Sequence, residues 1–243
     1  RDNLGRATNI TTDYANANWP TMSLDQKFDV AGNRSQSSLK VGGTPDFKNT
    51  YAYDKLHRLT EVTQSGQAGA TWIKPKRVTQ SFNALGQRTG IERFESLTSA
   101  NPVASSVFSY DGANRLSGIA HKQGTTNLNT YAYAYDPLSR LSSVTSTAEG
   151  LTNVSYDQRS QLVGVDNALH PDESFGYDSS GNRTLLNGST SYTVIADNRT
   201  TGGDGWTYTY DNEGNMLSAS GNGQYWTYTW DYRNRLVKAQ AGP

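Results

Sequence analysis

The sequence predicts an all-β chain of antiparallel β-hairpin repeats, and three observations carry that prediction. A short unit of aromatic, Asp, turn, Arg or Asn, and apolar residue recurs from one end to the other. Residues within it alternate with period two, as in Trp206, Thr207, Tyr208, Thr209 and Tyr210, which sets rings on one sheet face and threonines on the other. Finally, no stretch of about a dozen residues sustains a helical apolar stripe free of Gly or Pro.

In order along the chain the units are FDVAGNR from Phe28, YDKLHRL from Tyr53, FNALGQR from Phe82, YDGANRL from Tyr110 and YDPLSRL from Tyr135. They continue as YDQRSQL from Tyr156, YDSSGNR from Tyr177, YDNEGNML from Tyr210 and WDYRNRL from Trp230. Asp2 in RDNLGRA reads as a further copy without its aromatic, and IADNRTT around Asp197 as a degenerate one. The hinge residues Asp2, Asp29, Asp54, Asn83, Asp111, Asp136, Asp157, Asp178, Asp211 and Asp231 lie 20 to 33 residues apart. Such drift suits hairpins joined by variable loops and not stacked helical repeats.

Each unit reads as strand, tight turn, strand. The Asp carboxylate can accept a backbone N–H two residues on, and Gly32, Gly181 and Gly214 can take positive φ without a Cβ penalty. His57, Asn114, Ser139 and Asn234 replace that glycine, so the turn is expected to differ in detail there. Arg115, Arg140 and Arg235 precede Leu116, Leu141 and Leu236 on the returning strand, which points each Arg and Leu to opposite faces.

Composition narrows the function classes. Leu, Val, Ile and Phe make up only 41 of 243 residues, while 15 Tyr and 5 Trp supply bulky, half-polar surface. With 22 basic and 22 acidic side chains there is no electrostatic footprint for nucleic acid. No apolar run approaches the roughly 20 residues of a membrane helix. The absence of Cys excludes disulfides and thiolate chemistry. Residues 1–243 are expected to form one repeat region, a fragment of a longer chain.

The units, YDGANRL, YDPLSRL and YDSSGNR above all, resemble the tyrosine-aspartate (YD) or RHS repeats of bacterial RHS proteins, the C component of Tc toxins, wall-associated proteins and animal teneurins. That resemblance implies one continuous curved or spiralling sheet, an arc of a hollow shell. It further implies a non-enzymatic role: enclosing or presenting another polypeptide, such as a C-terminal toxin, in a secreted or cell-surface bacterial protein. The implied partners are the parent polypeptide's other segments. The family's self-cleaving core segment has no match between Tyr225 and Pro243, so no cleavage residues carry over.

Candidate chemistry is sparse, and no cofactor, catalytic set or metal site is assigned. The aromatic rows Trp206, Tyr208, Tyr210, Trp226, Tyr228 and Trp230 would stack sugar rings if exposed, or pack across strands if covered; their recurrence at the repeat favours packing. They make a carbohydrate-binding or adhesion module the alternative reading. A polysaccharide lyase is the third, through His121 or His170 beside a Tyr, whereas His57 sits in a repeat turn. Ser37 to Lys40 fits the S-x-x-K spacing of acyl enzymes without their other motifs, and each Asp turn has one carboxylate where a calcium loop needs several. Sequons at Asn33, Asn182 and Asn198 fall out of the repeat itself, and Lys74, Pro75, Lys76 and Arg77 read as a basic surface loop.

Overall fold

The computed structural model describes residues 1–12, 19–70, 72–188 and 190–242. These residues are all-β apart from one short 3-10 turn at Ala196–Asn198. The chain divides into two compact units, Arg1–Tyr133 with Ser146–Ala148, and Ala134–Thr145 with Glu149–Pro243.

The first unit holds β1 (Asn9–Thr12), β2 (Met22–Phe28), β3 (Arg34–Val41), β4 (Thr44–Tyr53), β5 (Leu59–Gly66), β6 (Lys76–Phe82), β7 (Arg88–Phe94), β8 (Ala104–Tyr110), β9 (Leu116–Gln123) and β10 (Thr126–Tyr135). Each strand pairs antiparallel with the next. The second unit continues with β11 (Leu141–Ser146), β12 (Gly150–Tyr156), β13 (Leu162–Asn167), β14 (Glu173–Tyr177), β15 (Arg183–Leu186) and β16 (Thr190–Ser191), hydrogen-bonded in chain order. It also holds a six-stranded sheet of β17 (Thr193–Ile195), β18 (Arg199–Gly203), β19 (Trp206–Tyr210), β20 (Met216–Gly221), β21 (Gln224–Trp230) and β22 (Leu236–Ala241). No pairing among the described residues closes either run of strands into a barrel.

The two ends of a hairpin use different turns. At one end sits the aromatic-Asp unit. At the other, two residues at positive φ join the strands: Gly42 and Gly43, Asp204 and Gly205, Asn222 and Gly223. Positive φ at both central positions gives a twist that matches the flanking strands, which is why Asn-Gly and Asp-Gly occupy them.

The aromatic-Asp turn is one structure throughout. In the copy at Tyr110, Asp111 N–H donates to the Arg115 carbonyl at 2.9 Å and Asn114 N–H to the Asp111 carbonyl at 3.0 Å. Its Oδ1 accepts from Ala113 N–H and Arg115 N–H, both at 2.9 Å. Tyr110 then pairs with Leu116 and Ser109 with Gly118, leaving Ser117 as a one-residue bulge.

Here the expectation of a different turn without glycine is corrected. His57, Asn114, Ser139, Ser160 and Asn234 adopt φ of 58 to 65°, in the same left-handed region as Gly32, Gly86, Gly181 and Gly214 at 81 to 90°. Their N–H groups make the same bond to the carbonyl three residues back. The Asp carboxylate and the flanking pairs over-determine the turn, so the strain of a side chain at positive φ is absorbed.

Little of either unit is enclosed. Among the described residues only Ala70, Phe94 and Ala219 are buried apolar side chains. Stability therefore comes from strand to strand and turn to turn, without a thick core. Gly214, at φ 88°, has no atom closer than 4.0 Å to where a Cβ would sit. Gly214→Ala thus isolates the backbone cost, and it is expected to destabilise by about 1 kcal/mol in urea unfolding; an unchanged midpoint would show the turn is not held at that φ.

Candidate functional site

The repeat leaves one feature for function to act through, a seam along which successive hairpins are fastened. In most copies the fourth residue after the Asp builds it, and several of these side chains reach two ways at once. Backwards, it meets its own carboxylate: Arg58 Nε to Asp54 Oδ2 at 2.6 Å, Arg140 to Asp136 at 2.7 Å, Arg115 to Asp111 and Arg235 to Asp231 at 2.8 Å. Asn33, Asn182 and Asn215 do the same to Asp29, Asp178 and Asp211 at 2.8 to 2.9 Å.

Forwards, it grips the next turn. Arg58 donates to the Asn83 carbonyl, Gln87 to the Asn114 carbonyl, and Arg140 to the Asp157 carbonyl and Ser160 Oγ. Asn182 donates to Asn198 and Asn215 to Asn234, each at 3.0 Å, and Asn33 Nδ2 lies 3.0 Å from His57 Nδ1. His57 is therefore a turn residue, and the amides of the sequons at Asn33 and Asn182 are engaged in the repeat.

Rings complete the seam. Arg6 lies 4.4 Å over Phe28, Arg58 4.7 Å over Phe82 and Arg140 4.5 Å over Tyr156, each a cation of one copy on the ring of the next. Such contacts contribute about 0.5–1 kcal/mol apiece when part-exposed. The aromatic tip reaches back: Tyr53 Oη donates to the Arg34 carbonyl, Tyr110 to Arg88, and Trp230 Nε1 to Met216 at 2.8 to 3.0 Å. Each carbonyl belongs to the fifth residue after the preceding hinge. Among the other repeat residues Tyr177 pairs with Arg183 across its bulge, and Tyr135 and Asp136 flank the turn of Arg140.

The degenerate copy explains itself in these terms. Arg199 takes the relay position, 5.6 Å over Tyr210 and 2.9 Å from the Asp211 carbonyl. Ile195 stands where Asp should be, and the buried Arg199 Nε has no partner.

The carboxylates respond to this setting. Asp54 and Asp111 are held below the ordinary 3.8, chiefly by the backbone N–H of Arg58 and Arg115. The side chains of Asn33, Asn182, Asn215 and Arg235 lead the same depression at Asp29, Asp178, Asp211 and Asp231. At Asp2 and Asp136 lost hydration is the largest influence and pulls upward, yet the hydrogen bonds together outweigh it.

The aromatic rows Trp206, Tyr208, Tyr210, Trp226, Tyr228 and Trp230 lie half-buried in the six-stranded sheet. Trp206, Tyr208 and Tyr210 are half-buried on one face, with Thr207 and Thr209 exposed on the other. A Cβ on Gly221 would lie 2.7 Å from the Trp206 ring, which itself stacks on Tyr208 at 6.5 Å. Ala219 is 5% exposed and pairs with both Tyr208 and Trp226, so small residues floor the rings. Tyr228 opposes Ala239 likewise.

Other candidates separate. Ser37 Oγ bonds Tyr51 Oη at 2.8 Å and points to the face opposite Lys40. Arg77 corrects the reading of a basic surface loop: it lies in β6, 4.1 Å over the buried Phe94 and bonded to the Ser99 carbonyl. His170 lies on an exposed turn. Among the described residues His121 is the histidine that meets a tyrosine ring, Tyr131, edge-on at 6.1 Å. No cluster of three or more His, Asp or Glu fit for a metal occurs among the described residues.

Residues 88–228 match the family model for the teneurin YD-shell. The chain belongs to the YD-shell family. Three solved structures share its fold: TcdB2-TccC3, at 16% identity and TM-score 0.61 over 91% of this chain and 14% of that one; TcdB2-TccC3 without the hypervariable C-terminal region, at 15% and 0.61 over 92% and 14%; and the Tc holotoxin pore of Photorhabdus luminescens, at 16% and 0.60 over 90% and 13%. This YD-shell segment thus spans about a seventh of the chains it matches. No curated protein matches its sequence.

Two outcomes test the seam. A folded-state value below the unfolded 3.8 means each Asp adds stability above that pH, lost as pH falls through the lower folded value. The thermal midpoint should fall once the solution is acidified below 3.8; a flat profile down to about pH 2 would contradict it. Separately, Ile195→Asp gives Arg199 Nε its missing acceptor and should raise stability by about 1 kcal/mol in urea unfolding, where a loss would refute the assignment.

Proposed function

We propose that this chain is a wall segment of a YD shell whose work is steric, enclosing or presenting another polypeptide such as a C-terminal toxin domain of the same parent protein. The observation that carries the reading is the seam: from copy to copy, hairpins are fastened to their neighbours by a relay residue, a cation over a ring or a reaching aromatic tip, in varying combination. Such nearest-neighbour coupling extends a wall to any length without a core. Family membership and the Tc toxin folds support it.

The setting that goes with this role is a secreted or cell-surface bacterial protein. Balanced charge supports a wall that neither binds nucleic acid nor clings to an anionic membrane. Among the described residues no helix is long and apolar enough to cross a bilayer. A glycan-binding role is disfavoured for Trp206, Tyr208 and Trp226 by the small Gly221 and Ala219 set against them, for Tyr228 by Ala239 opposite it, and for Tyr210 and Trp230 by the hydrogen bonds of their tips to the Thr200 and Met216 carbonyls.

Limited proteolysis of the full parent protein tests the proposal. A segment outside the repeats should resist protease while the wall is intact and become sensitive once the turns are weakened by paired changes such as Asp54→Ala with Asp111→Ala. Equal digestion in both proteins would remove enclosure.

A further inference from the structure

One polar cluster lies outside the repeat turns, at the far end of β7 to β10. Among the described residues Ser106 is the most enclosed side chain, 2% exposed. Its Oγ accepts from Arg93 Nη1 at 3.2 Å and lies 3.0 Å from His121 Nδ1. The register sets Arg93 opposite Ala104, Ser106 opposite His121 and Tyr131 opposite Ile119, so all three of Arg93, His121 and Tyr131 share the face of the repeat aromatics. Tyr131 is braced from behind: Asn129 Nδ2 donates to its Oη at 2.9 Å, and Asn129 Oδ1 accepts from Ser146 at 3.2 Å and Thr147 at 2.7 Å.

Hydrogen-bond accounting fixes what this cluster offers. A buried hydroxyl must place its proton, and among the described residues His121 Nδ1 is the acceptor within reach of Ser106. Neutral His121 then carries its own proton on Nε2, a tautomer assigned from that bonding. Nε2 has no partner among the described residues and is not a buried orphan, so it meets solvent. Arg93 is exposed, with no carboxylate partner among the described residues, and Glu92 turns to the other face, onto Thr79. The outward groups of Arg93 and His121 are therefore N–H donors. Serving as a general base would require the opposite tautomer and would strand the Ser106 proton, which argues against eliminative chemistry here.

Beside the donors, Tyr131 and Tyr133 lie near-parallel, 6.4 Å apart at 13°. Flat half-buried rings with polar tips match the C–H face of a pyranose, and a guanidinium with an imidazole N–H matches a carboxylate. We propose that Arg93, His121, Tyr131 and Tyr133 bind a uronic-acid unit of an acidic polysaccharide, with Ser106 and Asn129 as positioning residues. This does not depend on the shell reading: the chain can hold a glycan whether or not it encloses a polypeptide.

Calorimetric titration of the whole chain with oligogalacturonate tests it, against the same oligomer methyl-esterified, which keeps the ring and removes the charge. Binding should weaken about tenfold or more on esterification and with Arg93→Gln, and partly recover with Arg93→Lys. Tyr131→Ala should weaken it comparably, with circular dichroism verifying the fold, and Ser106→Ala should lower affinity without changing the spectrum. No binding of galacturonate, glucuronate or mannuronate oligomers would overturn the site. So would equal binding of the ester, or equal binding of polyglutamate.

Discussion

A carboxylate at the entry to nearly every aromatic-Asp turn, gripped by two backbone N–H groups and in most copies by the side chain four residues on, is the constraint from which the rest of this structure follows. Because Oδ1 fixes the turn and Oδ2 fixes the relay side chain, one residue controls both the path of the chain and the aim of the group that reaches the next hairpin. Charge-assisted bonds of this kind tolerate partial exposure better than an apolar contact does, since neither partner must lose much hydration to form them. Fastening by turns therefore works where a core is missing.

That logic accounts for the odd composition. A sheet with few enclosed side chains gains little from Leu or Ile, whereas a Tyr covers a small neighbour with its ring and still spends its hydroxyl on the preceding hairpin. Small residues opposite the rings are the counterpart: Gly221 lies beneath Trp206 and Ala219 between Tyr208 and Trp226. Rings and gaps alternate across the sheet as large and small residues do in a packed interior, only one layer deep.

Much of this was legible in the sequence because it is written in local code. Period-two alternation in Trp206 to Tyr210 and the Asp-to-Gly spacing at Asp29, Asp178 and Asp211 each depend on residues within one turn of chain. What was not legible depends on pairing. That His57 and Ser139 keep the same turn as a glycine follows from the bonds around them, which no propensity expresses. The forward reach of Arg58 and Arg140 needs the neighbouring hairpin's register, and so does the meeting of Arg93, Ser106 and His121 from three strands. One signal was present and unused: Gly42-Gly43, Asp204-Gly205 and Asn222-Gly223 mark the second turn of their hairpins.

The copy at Phe82 shows that hydrogen-bond complementarity is what the turn requires, with charge only one way of meeting it. Asn83 keeps the Asp role through Oδ1, accepting from Leu85 and Gln87 N–H at 3.0 Å, but its second atom is now a donor. An Arg four residues on would face donor with donor. Gln87 stands there instead, taking the Asn83 Nδ2 proton on Oε1 at 2.6 Å and passing its own amide forward to the Asn114 carbonyl at 3.0 Å. The polarity of the inner bond is reversed while the outer bond keeps its sense, so the seam runs on through a copy that carries no ion pair. A repeat read by charge alone would count this copy as broken; read by donors and acceptors, it is intact.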